Sequence, residues 1–98
     1  MNMQALMRQA QQMQKDMLKT KEEIDNKEFI GKSSIVTAYL KGTKVVEKIE
    51  ISEDLSEIDD KELLSDMIIS AINDAMKQID KETEQKMGKY SQGMPGLF

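Results

Sequence analysis

Two pairs of adjacent carboxylates are the side chains of this sequence with the clearest capacity for chemistry. Glu53 is followed by Asp54, and Asp59 by Asp60, and carboxylate oxygens are the ligands that hard cations prefer. Neither pair has the alternating ligand spacing or the glycine of a calcium loop, so a solvated helix start accounts for them better. The sequence contains no His and no Cys, which removes the commonest general base, thiolate nucleophiles and zinc–sulfur sites. We therefore predict a protein that is not an enzyme, with no cofactor, metal or small-molecule substrate.

The basic residues form a second group, because they are distributed unevenly. Residues 1–48 carry 9 basic and 6 acidic side chains, a balance of +3, and the remainder carries −7 of the total of −4. An anionic partner would therefore meet the first half of the chain. The alternative is that these charges are simply solvated on the faces of helices and strands.

A broad apolar stripe in residues 59–87 predicts the helix on which the rest of the chain packs. Apolar residues recur there at steps of three and four, which is the period of a buried helix face. Asp59, with Glu62 three positions later, predicts the helix start as a capping box, and Gly88 predicts its end. We expect burial over residues 63–79 and solvent exposure beyond. The residues predicted to pack in the core or in a dimer interface are Leu64, Ile68, Ala71, Ile72, Ala75 and Ile79.

A narrower apolar seam predicts another long helix near residues 2–27. The seam follows a heptad pattern, and the other positions are polar and favour helix. Such a seam suits a single partner helix, either the second helix of the same chain or an equivalent helix in another subunit. We therefore expect an exposed arm rather than a core element. The seam residues are Met3, Leu6, Ala10, Met13, Met17, Thr20 and Ile24.

Between the helices, β-branched and aromatic residues predict a small antiparallel sheet. Residues 34–41 and 44–52 predict two strands joined by a tight turn at residues 41–44, and residues 29–31 suggest a short third strand. Glu47 falls on the apolar side of its strand, which predicts either a β-bulge or an edge position. The predicted fold class is α+β: a long helix, two or three antiparallel strands and a long helix. Open sheet edges favour pairing with a second copy, so we expect a dimer with projecting helical arms.

Length and hydropathy predict a single soluble domain over residues 1–87. Residues 88–98 contain three glycines and the only proline, and they predict a flexible tail. No apolar run is long enough for a signal peptide or a membrane span. We expect a cytoplasmic protein with no membrane partner.

Four stretches carry a more specific signal: LMRQAQQMQKDM at residues 6–17, VVEKIEIS at 45–52, DKELLSDMIISAINDAMKQI at 60–79 and GMPGLF at 93–98. Together they resemble the YbaB/EbfC family of nucleoid-associated DNA-binding proteins, in the same order and over nearly the whole chain. The strongest individual matches are AQQMQ and the segment of Asn73, Asp74 and Ala75. The sequence departs from the family in the GKSS stretch before the strands and in the LKGTK hairpin, which affects the shape of the hairpin.

The resemblance implies a homodimer that binds double-stranded DNA with little sequence preference and alters its conformation. It also implies a cytoplasmic protein of the bacterial nucleoid, with a role in nucleoid organisation and gene regulation. Since the protein is acidic, with a pI of about 4.8, binding must rely on a local basic surface and must weaken with salt. The residues expected to contact DNA phosphates are Arg8, Lys15, Lys19 and Lys21 on the arm, with Lys32, Lys41 and Lys44 on the sheet side.

An interaction protein is the alternative function. A homodimeric helical adaptor would hold a protein partner through the Met-rich seam and the Leu97 and Phe98 tail, because methionine-rich surfaces adapt to their partners. Salt distinguishes the two functions. DNA binding falls between about 50 and 200 mM salt, whereas a hydrophobic contact persists.

Overall fold

The computed structural model describes residues 2–93, with side chains for residues 2–90. It confirms the predicted order of a long helix, an antiparallel sheet and a long helix. The molecule is elongated, with extents of 70 × 19 × 14 Å. Its elements are α1 (Met3–Asn26), β1 (Glu28–Ser33), β2 (Val36–Lys41), β3 (Val46–Ile51), a short 3-10 turn (Leu55–Glu57) and α2 (Lys61–Gly93).

The sheet is a three-stranded antiparallel meander in the order β1-β2-β3. The third strand suggested by the sequence is therefore present, and it is longer than residues 29–31. The pairing passes from Tyr39 with Lys48 to Leu40 with Val46, so Glu47 is the extra residue of a β-bulge. Both readings of Glu47 are confirmed, because β3 is also an edge strand.

The core lies between one face of the sheet and α2. Val36, Ala38 and Leu40 of β2 are fully buried, because alternate residues of a strand point to the same face. Gly31 allows β1 to approach α2 closely: a Cβ there would lie 2.0 Å from the Ala71 carbonyl oxygen and 2.6 Å from the backbone nitrogen of Ala75. The sheet and helix therefore meet almost backbone to backbone at this point.

Both ends of α2 differ from the prediction. The helix begins at Lys61, and its cap is Asp60 rather than Asp59, because Asp60 accepts the backbone N–H of Leu63 at 3.0 Å. It continues through Gly88 as far as Gly93, the last residue that the structure describes, so the predicted end at residue 88 is wrong.

The apolar stripe explains why α2 continues. Met87 and Tyr90 are only 2% and 5% exposed, so burial persists well beyond Ile79 and offsets the cost of about 1 kcal/mol of a glycine within a helix. Residues 88–93 are accordingly helical, contrary to the prediction of a tail from residue 88. The rest of the predicted tail, residues 94–98, lies outside the described residues.

The two ends of α1 have very different environments. Ile24 is buried and Met17 packs against the core, whereas every residue from Asn2 to Asp16 is exposed. The carbonyl of Ile24 abuts Gly42 in the β2–β3 turn, where a Cβ would lie 1.8 Å from the oxygen. The C-terminal part of the seam therefore packs within its own chain, and the N-terminal part projects as an arm.

Candidate nucleic-acid interface

Three of the predicted basic residues share one face of the α1 arm. Arg8, Lys15 and Lys19 are separated by seven and four residues. At about 100° per residue these steps bring them within roughly 40° of one another, on the side of the helix opposite the apolar seam. They extend over about 16 Å of helix axis at a rise of about 1.5 Å per residue. We call these three residues the basic face of α1.

The basic face is available to an external anion. All three side chains are exposed, and in the part of the chain whose side chains are described none of them forms an ion pair. Because no carboxylate lies within ion-pair distance of them there, this face is a suitable surface for phosphate groups.

Three other predicted contacts have carboxylates beside them. Lys21 lies 2.9 Å from Asp25 on the next turn of α1, and Lys44 lies 2.9 Å from Asp80 of α2. Lys41 lies 3.9 Å from Glu47 and donates to the Asn26 carbonyl at 3.2 Å. Such exposed pairs contribute only about 0–1 kcal/mol to stability, but they reduce the positive potential offered to a phosphate.

Lys32 is separate from the arm. It lies on β1 beside a polar cleft that also contains Asp66 and Asp74, and its backbone N–H donates to the Asp74 carboxylate at 3.0 Å. The structure therefore divides the seven candidates into the basic face, three paired lysines and one lysine in an acidic setting.

Sequence reasoning overlooked two exposed lysines on α2, Lys77 and Lys81. Their spacing of four residues places them on one helix face and was the signal that could have found them. The same exposed side of α2 carries several acidic residues, so it offers no continuous positive surface. These acidic residues are Asp66, Asp74, Asp80 and Glu84.

Lys48, on the outer face of the sheet, also has a carboxylate partner. This lysine lies 2.6 Å from Glu50 and 5.4 Å from the centre of the Tyr39 ring. The hydrogen bond with Lys48 lowers the pKa of Glu50, and the same bond raises the pKa of Lys48. Burial and the nearby Glu50 raise the pKa of Tyr39. The lysine, carboxylate and phenol thus form a local network on the sheet.

The acidic stretch at residues 50–66 leads into α2 at the end of the sheet opposite α1. Ile51 at the end of β3 pairs with Val36, whereas α1 joins the opposite end of β1. Within this stretch Asp54 caps the 3-10 turn, accepting from the backbone N–H of Ser56 at 2.9 Å and from its hydroxyl at 2.8 Å. These bonds lower the pKa of Asp54. This acidic stretch therefore lies away from the basic face.

Comparison with known proteins places this arrangement in a family. The sequence model of the YbaB/EbfC DNA-binding family matches residues 1–94. The chain belongs to the YbaB/EbfC DNA-binding family. This membership confirms the resemblance found in the sequence.

Relatives of this YbaB/EbfC chain are bacterial proteins that it matches over most of their length. It is 45% identical to a nucleoid-associated protein of Enterococcus faecalis, over 98% of this chain and 94% of the relative. It is 45% identical to one of Lactococcus lactis, over 97% and 98%. The crystal structure of an uncharacterized protein from Helicobacter pylori has the same fold, with a TM-score of 0.72 and 22% identity over 92% of this chain and 97% of that one.

In the segment of residues 73–75, Asp74 and Ala75 have a structural role in this YbaB/EbfC chain. Asp74 accepts the outward N–H of Lys32 at 3.0 Å, and Ala75 packs against Gly31. One turn later, Gln78 donates to the Ile30 carbonyl at 2.8 Å. These contacts cover the free edge of β1, which is where an exposed strand would otherwise pair with another chain.

The predicted packing residues all lie against the sheet or beside it. Ala71, Ala75 and Ile79 belong to the buried core, and Leu64, Ile68 and Ile72 pack against it while remaining partly exposed. Within residues 2–93, no helix is both long and apolar enough to cross a membrane.

Proposed function

We propose that this protein is a nucleoid-associated protein that binds duplex DNA as a homodimer through the basic face of α1. The observation that carries the proposal is the alignment of Arg8, Lys15 and Lys19 on one exposed helix face without local carboxylate partners. Family membership supports DNA as the anion. The cellular role that follows is DNA organisation in the cytoplasmic nucleoid, with effects on gene expression.

Little sequence preference is expected from the chemistry of this face. Lysine and arginine contacts to phosphates fix position without reading bases, since sequence information lies on the base edges in the grooves. Gln11 and Gln12 lie among the three cations on this face, and the sequence has only two Phe, two Tyr and no Trp. Stacking on bases therefore contributes little.

A homodimer is supported by the surfaces that the single chain leaves exposed. The edge of β1 is covered by α2. Within residues 2–93, β3 pairs only with β2 and is an edge strand, and open edges favour pairing between chains. Leu55, Leu63 and Ile69 near the start of α2 are 61%, 54% and 54% exposed. Contact through this region leaves both α1 arms free to bind one duplex.

The dimer determines the expected strength of the salt effect. Two basic faces provide six cations, and a slope of about −0.9 per phosphate contact gives roughly −5.4 for the change of log affinity with log salt. Affinity should then fall about 10³-fold between 50 and 200 mM salt. The net charge of the protein is −4, so only a local basic surface attracts the DNA. A steep dependence of affinity on salt is consistent with such local attraction.

The proposal is tested by titrating purified protein onto several duplexes of unrelated sequence, at salt concentrations from 50 to 200 mM. Fluorescence anisotropy gives the affinity, and analytical ultracentrifugation in the same buffers gives the oligomeric state. Similar affinities for all duplexes, falling steeply with salt, are expected from a dimer. Absence of binding at 50 mM salt by a folded dimer would refute DNA as the partner, and strong preference for one duplex would refute phosphate-based recognition.

A further inference from the structure

The first four residues of the α1 seam form an apolar surface on the projecting arm. Met3, Leu6 and Met13 are 70%, 41% and 37% exposed, and an open groove of about 490 Å³ is lined by Leu6, Gln9, Ala10 and Met13. We call Met3, Leu6, Ala10 and Met13 the outer seam. At about 100° per residue the outer seam lies on the side of α1 opposite the basic face, so phosphate binding does not account for it.

The surroundings of the outer seam are uncharged. Among residues 2–14, Arg8 is the only charged residue, and it lies on the opposite side of the helix. At about 100° per residue, the side chains that flank the outer seam are Met7 and Gln14 on one side and Asn2 and Gln9 on the other. Met7 is 59% exposed and widens the apolar surface. Because like charges across an interface are costly, the absence of charge allows this surface to meet an identical one.

The spacing of the outer seam makes it complementary to itself. Its residues are separated by three, four and three positions, and this order is the same in both directions along the helix. When a second copy runs antiparallel, Leu6 therefore faces Ala10 at the same register that places Met3 opposite Met13. A large side chain then meets a small one at the centre, and the flexible methionines fill the ends. This symmetry favours a second copy of the chain over an unrelated helix.

We propose that the outer seams of two copies pair antiparallel, as a short two-helix contact between α1 arms. Each copy uses the same surface, so the contact is isologous. It leaves free the exposed edge of β3 and the start of α2, which support the homodimer. The arm contact therefore joins one homodimer to another, and this last statement rests on the proposed function, whereas the arm contact itself does not.

Arm pairing keeps both basic faces accessible. Each basic face lies on the side of its helix away from the partner arm, so the two faces of a pair point in opposite directions. If the basic faces bind DNA, one pair of arms holds two DNA segments together. Four seam residues per helix form an interface well below the roughly 1,200 Å² of stable complexes. A single contact is therefore weak, and the two arms of each dimer strengthen it through multivalency.

Analytical ultracentrifugation without DNA tests the contact, in about 200 mM salt to weaken charge–charge attraction. The seam variant, Leu6→Gln with Met13→Gln, removes two apolar side chains without changing the charge. The matched control, Ala5→Gln with Leu18→Gln, makes two apolar-to-Gln changes at exposed positions of α1 outside the seam. Circular dichroism checks that both variants fold.

The natural protein and the control should associate beyond the homodimer as the protein concentration rises. The dissociation constant of this step should be at least tenfold higher in the seam variant. Equal association of the seam variant, or no association of the natural protein beyond the homodimer at about 1 mM chain, would overturn the proposal. A natural protein that stops at two chains, with a monomeric seam variant, would support arm pairing and refute the homodimer of the proposed function.

Cysteine cross-linking tests the antiparallel register, because the natural sequence has no cysteine. Chains with Leu6→Cys are mixed with an equal amount of chains with Ala10→Cys and oxidised, and peptide mass spectrometry identifies the disulfides. Disulfides joining positions 6 and 10 should be several-fold more abundant than those joining two identical positions. In the matched control, Arg8→Cys replaces Leu6→Cys, and cross-linking to position 10 should be at least tenfold slower. Mainly identical-position disulfides, or equal rates in the control, would overturn the proposal.

Discussion

Removing Lys15 and Lys19 together should weaken DNA binding and flatten its salt dependence. The double variant Lys15→Gln with Lys19→Gln removes four cations from a dimer, and neither position lies on the apolar seam. With about 0.9 lost per phosphate contact, the slope of log affinity against log salt should change from roughly −5.4 to roughly −1.8. The two phosphate contacts that remain in the dimer would be those of Arg8 in each chain.

A control variant with the same net charge as the Lys15 and Lys19 variant shows whether a loss of DNA binding comes from the basic face or from the change in net charge alone. Lys21→Gln with Lys44→Gln removes two charges per chain from lysines that lie 2.9 Å from Asp25 and Asp80. Anisotropy titrations of both variants on one duplex, from 50 to 200 mM salt, give the slopes, and circular dichroism checks the fold.

The paired-lysine variant should keep most of the original slope, because its cations already have carboxylate partners. Equal loss of slope in the two variants would refute a role for the basic face and leave only the effect of net charge. An unchanged slope in the Lys15 and Lys19 variant would refute the contact altogether.

Three further predictions concern stability and are measured by thermal or denaturant unfolding. Gly31→Ala should lower the free energy of unfolding by about 1–3 kcal/mol or more, because its Cβ would lie 2.0 Å from the Ala71 carbonyl oxygen. Gly88→Ala should instead raise the free energy of unfolding by about 0.5–1 kcal/mol, because a Cβ there would meet nothing within 4 Å beyond its neighbours and the adjacent backbone of its own helix. Asp60→Ala should cost about 0.5–2 kcal/mol through loss of the helix cap, and an unchanged midpoint would contradict that assignment. Asp54→Ala should destabilise at neutral pH, and its effect should shrink as the pH falls from the usual pKa of 3.8 through the lower folded-state pKa of Asp54, because the stabilisation requires the charged form. An effect that does not shrink on acidification would contradict this.

The sequence predicts the elements of this fold well where a pattern repeats. The heptad seam predicted α1 within a residue at each end. The position of Glu47 predicted either a bulge or a sheet edge, because a strand has to keep its apolar residues on one face, and β3 has both features. The end of α2 was missed because Gly88 is a local signal for termination. Packing of Met87 and Tyr90 overrides that signal, and such packing depends on α1, which is far away in sequence.

The basic residues of the candidate site could be predicted from the sequence, but most of their carboxylate partners could not. The spacing of Lys21 and Asp25 already suggests a pair within one helix. The contact of Lys44 with Asp80 depends instead on how the β2–β3 turn meets α2, which the sequence does not specify. The proximity of Lys32 to Asp74 likewise follows from the close approach at Gly31. The tertiary structure is therefore needed to place Lys32 and Lys44 beside carboxylates.

The central claim is that the basic face of α1 contacts DNA, and lysine acetylation footprinting tests it most directly. Protein alone and protein saturated with a mixed-sequence duplex at 50 mM salt are briefly acetylated, and mass spectrometry gives the reactivity of each lysine. The account predicts strong protection of Lys15 and Lys19, with little change at Lys77 and Lys81 on the acidic side of α2. Protection confined to other lysines, with Lys15 and Lys19 as reactive as in the free protein, would contradict it.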